Sequence, residues 1–298
     1  MTAAQQLRAP HPSRWGITPE QAGWSTLGVD VLHLAAGESE ELESGATEGA
    51  LVILSGRLRV SVSTGGPGSE DGGAQGRTVV HELSRSDVFS EAGSLVYLPP
   101  TSAVHLEAIE VDTVCSVGWA PAESGYPTRL VQGTEMRVED RGRGAAARRR
   151  VRHLLAHPVP AHRLIVFEVY VPAGGWSGWP PHRHDGVDGS PYLEETYYFR
   201  FARPEAFGMH CNYATDPDPD REELFFARDG DLVLVPGGFH FSSASPGAEM
   251  YFLNFLAGDL EHADRATPPC FDERHTWIEG AWADEDDEKR SEEGRSTG

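Results

Sequence analysis

The stretch Trp176-Ser-Gly-Trp-Pro-Pro-His182-Arg-His184-Asp185, followed after a loop by Tyr192-Leu-Glu194-Glu195-Thr-Tyr-Tyr-Phe-Arg-Phe201, decides the fold of this chain. Alternate residues of an extended strand project to the same side, so His182 and His184 direct both imidazoles to one face. The run from Thr196 to Phe201, rich in aromatics, reads as a further strand. Downstream, Gly230-Asp-Leu-Val-Leu-Val-Pro236-Gly-Gly-Phe-His240 supplies a third histidine just past a β-run and a glycine-rich turn. His182, His184 and His240, with a carboxylate from Glu194 or Glu195, form a coherent ligand set for a divalent metal on an all-β scaffold. His157, His162, His262 and His275 fall outside this arrangement and read as structural or solvated.

Short strand-like runs separated by turn signals extend on both sides. They cover 51–54, 57–62, 94–98 and 113–117 in the first half, and 163–171, 196–201, 232–235 and 250–256 in the second. The 33 glycines and 21 prolines are not periodic, which suits many short strands joined by turns. One short helix is expected near 145–155, and 65–76 reads as a polar loop. The pattern is that of antiparallel sandwiches or barrels and not of βαβ units. Gly93-Ser-Leu-Val-Tyr-Leu-Pro99 repeats the glycine-to-proline spacing of Gly230 to Pro236, and each copy is followed by a histidine, His105 or His240. Two barrels of related shape are therefore expected. The first spans 1–135 and lacks the metal motif, 136–160 is an arginine-rich connector, 161–280 carries the metal motif, and 281–298 is an acidic disordered tail.

Composition removes several function classes. A formal charge of −21 leaves little basic surface for nucleic acid or an anionic membrane. The only lysine, Lys289, lies in the acidic tail, so no Schiff-base mechanism is available within a folded site. Cys115, Cys211 and Cys270 are odd in number and widely spaced, which fits a reducing cytoplasm and neither a disulfide framework nor a thiolate zinc site. No signal-peptide pattern or long apolar run is present, so a soluble cytoplasmic protein is expected. No dinucleotide, Walker or Gly-x-Ser-x-Gly motif occurs.

The Gly175–His184 and Gly230–Gly238 elements resemble the two motifs of the cupin superfamily. More closely, Glu168-Val-Tyr-Val-Pro-Ala-Gly-Gly-Trp-Ser177, Pro180-Pro-His-Arg-His-Asp185, Tyr192 to Phe201, Asp229 to Pro236 and Tyr251-Phe-Leu-Asn254 resemble the IolB-type 5-deoxy-glucuronate isomerases of inositol catabolism. That family consists of bicupins, with two double-stranded β-helix (jelly-roll) barrels. The resemblance implies that His182, His184, Glu195 and His240 hold a divalent metal, zinc or manganese or iron. It also implies a small uronic acid substrate, interconverted between aldose and ketose forms by proton transfer next to a carbonyl. A base must carry that proton, and Glu194, His210 and Tyr251 are the candidates. Strand alternation turns Glu194 outward if Glu195 faces inward, and puts Tyr197 and Phe199 on the inward face. Spacing assigns no arginine to the substrate carboxylate, since Arg183 and Arg200 both alternate away from the site. The competing readings are an iron dioxygenase on the same scaffold and a non-catalytic sugar-acid-binding bicupin. A homo-oligomer is compatible with the arginine run 141–152 pairing with carboxylates of its own chain or of a neighbouring subunit.

Overall fold

The computed structural model describes residues 5–7, 13–65, 77–215 and 218–282. Most of the polar loop expected at 65–76 and nearly all of the acidic tail expected at 281–298 lie outside these residues. The fold is all-β, with three antiparallel sheets. A nine-stranded sheet belongs to the first half, built around the 18-residue strand Thr47–Thr64. Two separate strands were expected there. The structure joins them through a register shift between Ile53 and Ser55 and a left-handed Gly56 (φ 97°), where a side chain would collide with Thr113. An extra residue and a glycine bend a strand without ending it, so the sheet curls.

The second half pairs a seven-stranded with a five-stranded sheet in a curled, cupin-like arrangement. The seven-stranded sheet runs Gln5–Leu7, Leu232–Val235, Leu193–Phe201, Met250–Gly258, Ile165–Val171, Arg149–Leu155 and Arg137–Arg141. The five-stranded sheet runs Asp218–Arg228, Phe207–Thr215, Phe239–Ala244, Trp176–Arg183 and Cys270–Phe271. The helix expected near 145–155 is a single turn, Gly144–Ala147, followed by a strand paired with Ile165–Val171. Period-two alternation with Val151 inward, together with a partner strand, overrides the helical propensity of the alanines and arginines. The arginine-rich segment is thus part of a sheet.

Alternation also explains how the halves join. In Met250–Gly258, Met250 and Phe252 face the core of the second half, while Tyr251, Leu253, Phe255 and Ala257 face a core shared with the first. In Thr47–Thr64, Leu51 and Ile53 face the first half's own core, and Ala50, Val52 and Leu54 face the shared one. Both strands are covered on both faces and read as continuous apolar runs. Each fully buried Leu or Phe contributes roughly 1.5–3 kcal/mol. The approach is close: a Cβ on Gly118 would lie 2.3 Å from the Phe255 ring.

Polar groups in the seam are matched. Glu48 of the first half accepts from the amides of His162, Arg163 and Leu164 at 2.6–2.7 Å and from the Tyr97 hydroxyl. Glu194 of the second half accepts from the amides of Ser25, Thr26 and Leu27 at 2.7–2.9 Å and from the Tyr192 hydroxyl. Each carboxyl group is buried, and each closes the three residues that enter a strand of the other half. Arg85 adds a buried ion pair to Glu168 at 2.5 Å, and Tyr170 and Tyr251 donate to the same carboxylate. Among the described residues no helix is long and apolar enough to cross a membrane.

Removing the Glu194 acceptor leaves three seam amides without a partner, at about 1–3 kcal/mol each before relaxation. Glu194→Ala is therefore expected to lose about 3–5 kcal/mol of folding stability, read from the urea midpoint. Parent-like stability would show that the clasp does not hold the seam.

Candidate metal centre

The strands Trp176–Arg183 and Phe239–Ala244 pair so that His182 faces His240 directly across the ladder, with ring centroids 4.4 Å apart. The register shifts between Ser177 and His182, where Gly178 adopts φ 73° and a Cβ would lie 3.2 Å from Phe241 Cα and 3.3 Å from the His182 ring. This irregularity bends the end of the strand. His184 follows just past the strand, its ring 5.0 Å from that of His240. The ligand atoms of the three histidines all lie within 4.8 Å of one another.

Glu195 enters from the opposite sheet. Its Oε2 lies 3.0 Å from His184 Nε2 and 3.1 Å from His240 Nε2. The other ring nitrogens are anchored on carbonyls: His184 Nδ1 at 2.9 Å from Leu193 O, and His240 Nδ1 at 3.2 Å from Gly238 O. Each contact fixes the ring so that Nε2 points inward, as carbonyl partners do for metal-ligating histidines. Nε2 of His240 is buried, with the Glu195 carboxylate as its charged neighbour. Three converging imidazole nitrogens and a carboxylate oxygen are a donor set that fits a divalent transition metal.

The electrostatics agree. Burial, with His240 and His184 nearby, holds His182 well below its ordinary value, which keeps a lone pair free for a cation. Burial opposes charge on His184 too, but the bond to Glu195 outweighs it and raises His184. Burial likewise works against Glu195, yet the two histidines hold it far below the usual carboxylate range.

Asp185, just past the two histidines, braces the centre. Its carboxylate accepts from Arg183 Nε and Nη2 at 2.8 and 2.7 Å and from the Gly238 amide at 2.7 Å. Burial would raise it, but Arg183 and that amide hold it below the ordinary value. It ties the histidine pair to the turn whose carbonyl orients His240. An aspartate immediately after His-x-His was the available signal.

The expected bases fall elsewhere. Glu194 is spent on the seam, on the face opposite Glu195, as alternation implied. Tyr251 also points into the seam and donates to Glu168 at 2.9 Å, because its neighbours Met250 and Phe252 take the inward positions. His210 does lie inward, its ring centroid 6.2 Å from that of His240, but it is fully buried with Nδ1 on Ser242 Oγ. Burial lowers His210 to about 3, so its ring is neutral.

A cavity of about 280 Å³ opens onto His182, His184 and Glu195. Tyr197 and Asn254 line it beside Glu195, and Arg137, Arg141 and Arg149 also contribute to its wall. Burial and then the proximity of Arg141 lower Arg149 to about 10, a guanidinium short of counter-charge. The sequence had hidden these arginines in an expected connector. Among the described residues the first half has no matching cluster: His105, at the position equivalent to His240 in the repeat, is half-buried on a strand and pairs with Glu41 at 2.6 Å.

The KduI/IolB family model matches residues 3–278. The chain is 36% identical over 265 residues to a 5-deoxy-glucuronate isomerase of Geobacillus kaustophilus, covering 88% of this chain and 89% of that one. It is 28% identical over 266 residues to the 5-deoxy-glucuronate isomerase of Bacillus subtilis strain 168, covering 88% and 91%. Among solved structures, an IolB-like protein of Salmonella typhimurium aligns with TM-score 0.79 and 34% identity, over 92% of this chain and 98% of that one. A Lactobacillus farciminis oxalate decarboxylase aligns with TM-score 0.59 over 88% of both chains, and at 12% identity shares the fold alone.

Asp185→Asn is expected to weaken metal binding by about 10–100-fold with strand content unchanged, the usual cost of losing an outer-shell partner. Competition with a chelator of known affinity measures it. An unchanged constant would mean that the turn holds His240 without Asp185.

Proposed function

The chain belongs to the KduI/IolB family, and from that membership we propose that it is a metal-dependent aldose–ketose isomerase converting 5-deoxy-D-glucuronate to 5-dehydro-2-deoxy-D-gluconate. One observation carries the reading: the His182–His184–Glu195–His240 cluster lies at one side of a small cavity whose wall also carries three arginines. A pocket with cation ligands and a guanidinium suits a small hydroxy-aldehyde that bears a carboxylate. Those four residues would hold the metal. When bound, it supplies a Lewis acid for the substrate's carbonyl and adjacent hydroxyl oxygens.

The chain's own residues do the rest. Arg149, the most enclosed of the three arginines, receives the substrate carboxylate, because a planar guanidinium donates two parallel hydrogen bonds to it. Tyr197 lies beside Glu195 and Asn254, and burial followed by Glu195 raises its hydroxyl well above the ordinary value. A phenol held protonated next to the ligand carboxylate can donate a hydrogen bond to a substrate oxygen as charge develops there. Phe167, Val169 and Phe252 line the wall and exclude bulk water from the reacting carbons. The arrangement of two cupin barrels, the first without a metal site, is part of this proposal. It is supported by the repeated short strands Leu95–Leu98 and Leu232–Val235, which occupy matching places in the two halves.

Proton NMR of 5-deoxy-D-glucuronate with the protein tests the reading. The aldehyde and hemiacetal signals are expected to give way to a ketose, to stop on chelation and to resume when metal is restored. A metal-loaded protein that leaves this substrate unchanged would reject it. His182→Ala is expected to lose both metal and turnover. Arg149→Met is expected to raise KM by 10-fold or more, about 1.4 kcal/mol of lost binding. Tyr197→Phe is expected to lower kcat by about 100-fold with metal content intact. Either variant behaving like the parent would remove that residue from its role.

A further inference from the structure

A second group of ligands lies in the seam, away from the cavity just described. His162, Glu261 and His262 place one donor atom each within 4.8 Å of one another. None of the three lines the proposed substrate cavity. The sequence had assigned both histidines to structural or solvated roles.

His162 makes that assignment hard to keep. It is 2% exposed, and neither ring nitrogen makes a hydrogen bond among the described residues. An imidazole has one donor and one acceptor to satisfy, or two donors when charged. Leaving them buried without partners is costly, and native structures rarely do so without a ligand, ion or water. Its Nε2 instead lies 3.4 Å from Glu261 Oε1, and its ring meets that of His262 at 84° with centroids 4.7 Å apart.

The neighbours hold the other two groups in place. Tyr126 contributes its hydroxyl to His262 Nδ1 at 2.9 Å, which leaves Nε2 of that ring for a cation. Arg163 pairs with Glu261 and holds its carboxylate at the cluster. The amide of His262 donates to the carbonyl of His162 at 2.7 Å, and Arg265 Nε donates to the carbonyl of His262 at 2.7 Å. The backbone of His162 is itself fixed by Glu48 across the seam.

We propose that His162, Glu261 and His262 form a second divalent-metal site that pins the loop carrying Tyr126, in the first half, to the second half. Two imidazoles and one carboxylate suit zinc or a neighbouring first-row ion, and not calcium or magnesium, which want oxygen ligands. Water completes the coordination. Arg163 shares Glu261 with the ion, so the site binds more weakly than the one in the barrel.

Zinc content of untagged full-length protein, dialysed against micromolar free zinc and measured by mass spectrometry, tests the proposal. The parent is expected to hold two equivalents. His240→Ala, which disables the barrel site, is expected to keep one. His262→Asn is also expected to keep one, because asparagine tolerates the left-handed backbone at this position (φ 49°) while the imidazole ligand is lost. The double variant is expected to hold none. In the His240→Ala protein, cobalt substitution is expected to give visible d–d absorption that His162→Ala abolishes. A parent with one equivalent, or a His262→Asn protein that keeps as much zinc as the parent, would overturn the site. These readouts do not depend on the isomerase activity.

Discussion

The dipeptide Glu194–Glu195 is the constraint on which the rest of the structure depends. Two carboxylates adjacent in a strand must face opposite ways, and here each face needs one. Glu194 turns outward and takes the three amides that open the first half's strand Gly28–Leu34. Glu195 turns inward to His184 and His240. Glu48 answers Glu194 from the other side, receiving the amides that precede Ile165–Val171. Each half therefore closes a strand entry of the other, and the strand that seals the seam also delivers the metal carboxylate. A register slip of one residue would exchange the two faces of the strand and leave either the seam amides or the centre without its carboxylate.

The centre itself is preorganised by parts that carry no chemistry. Carbonyls of Leu193 and Gly238 hold two imidazoles by their outer nitrogens, and Asp185 ties that glycine turn to Arg183. The bend at Gly178 brings His182 opposite His240. Both sheets supply the candidate ligands, while the arginines come from the last two strands of the seven-stranded sheet. Cation ligands and guanidinium groups thus share one small cavity, an arrangement that suits a compact anionic sugar better than a neutral one.

The sequence made much of this legible, for physical reasons. His-x-His at a strand end, the glycine-to-proline spacing before His240, and the aromatic run behind Glu195 are local patterns tied to a period of two. They pointed to the four expected ligands and to the all-β class. Alternation also turned Glu194 away from the site, although it remained a candidate base. What stayed hidden depends on contacts distant in sequence. Tyr251 could not be assigned to the seam without knowing that the strand is buried on both faces. Arg149 looked like part of a connector because alanine and arginine favour helix locally, whereas pairing with Arg137–Arg141 makes it a strand residue that lines the cavity. His162 and His262 are 100 positions apart and meet only through the fold.

Anomalous X-ray diffraction from crystals of the metal-loaded protein, collected on both sides of the absorption edge, tests the central claim most directly. The account predicts a peak bounded by His182, His184, Glu195 and His240, within coordination distance of the inward nitrogens and of the Glu195 carboxylate. A fully loaded crystal with no peak among those four side chains would contradict it.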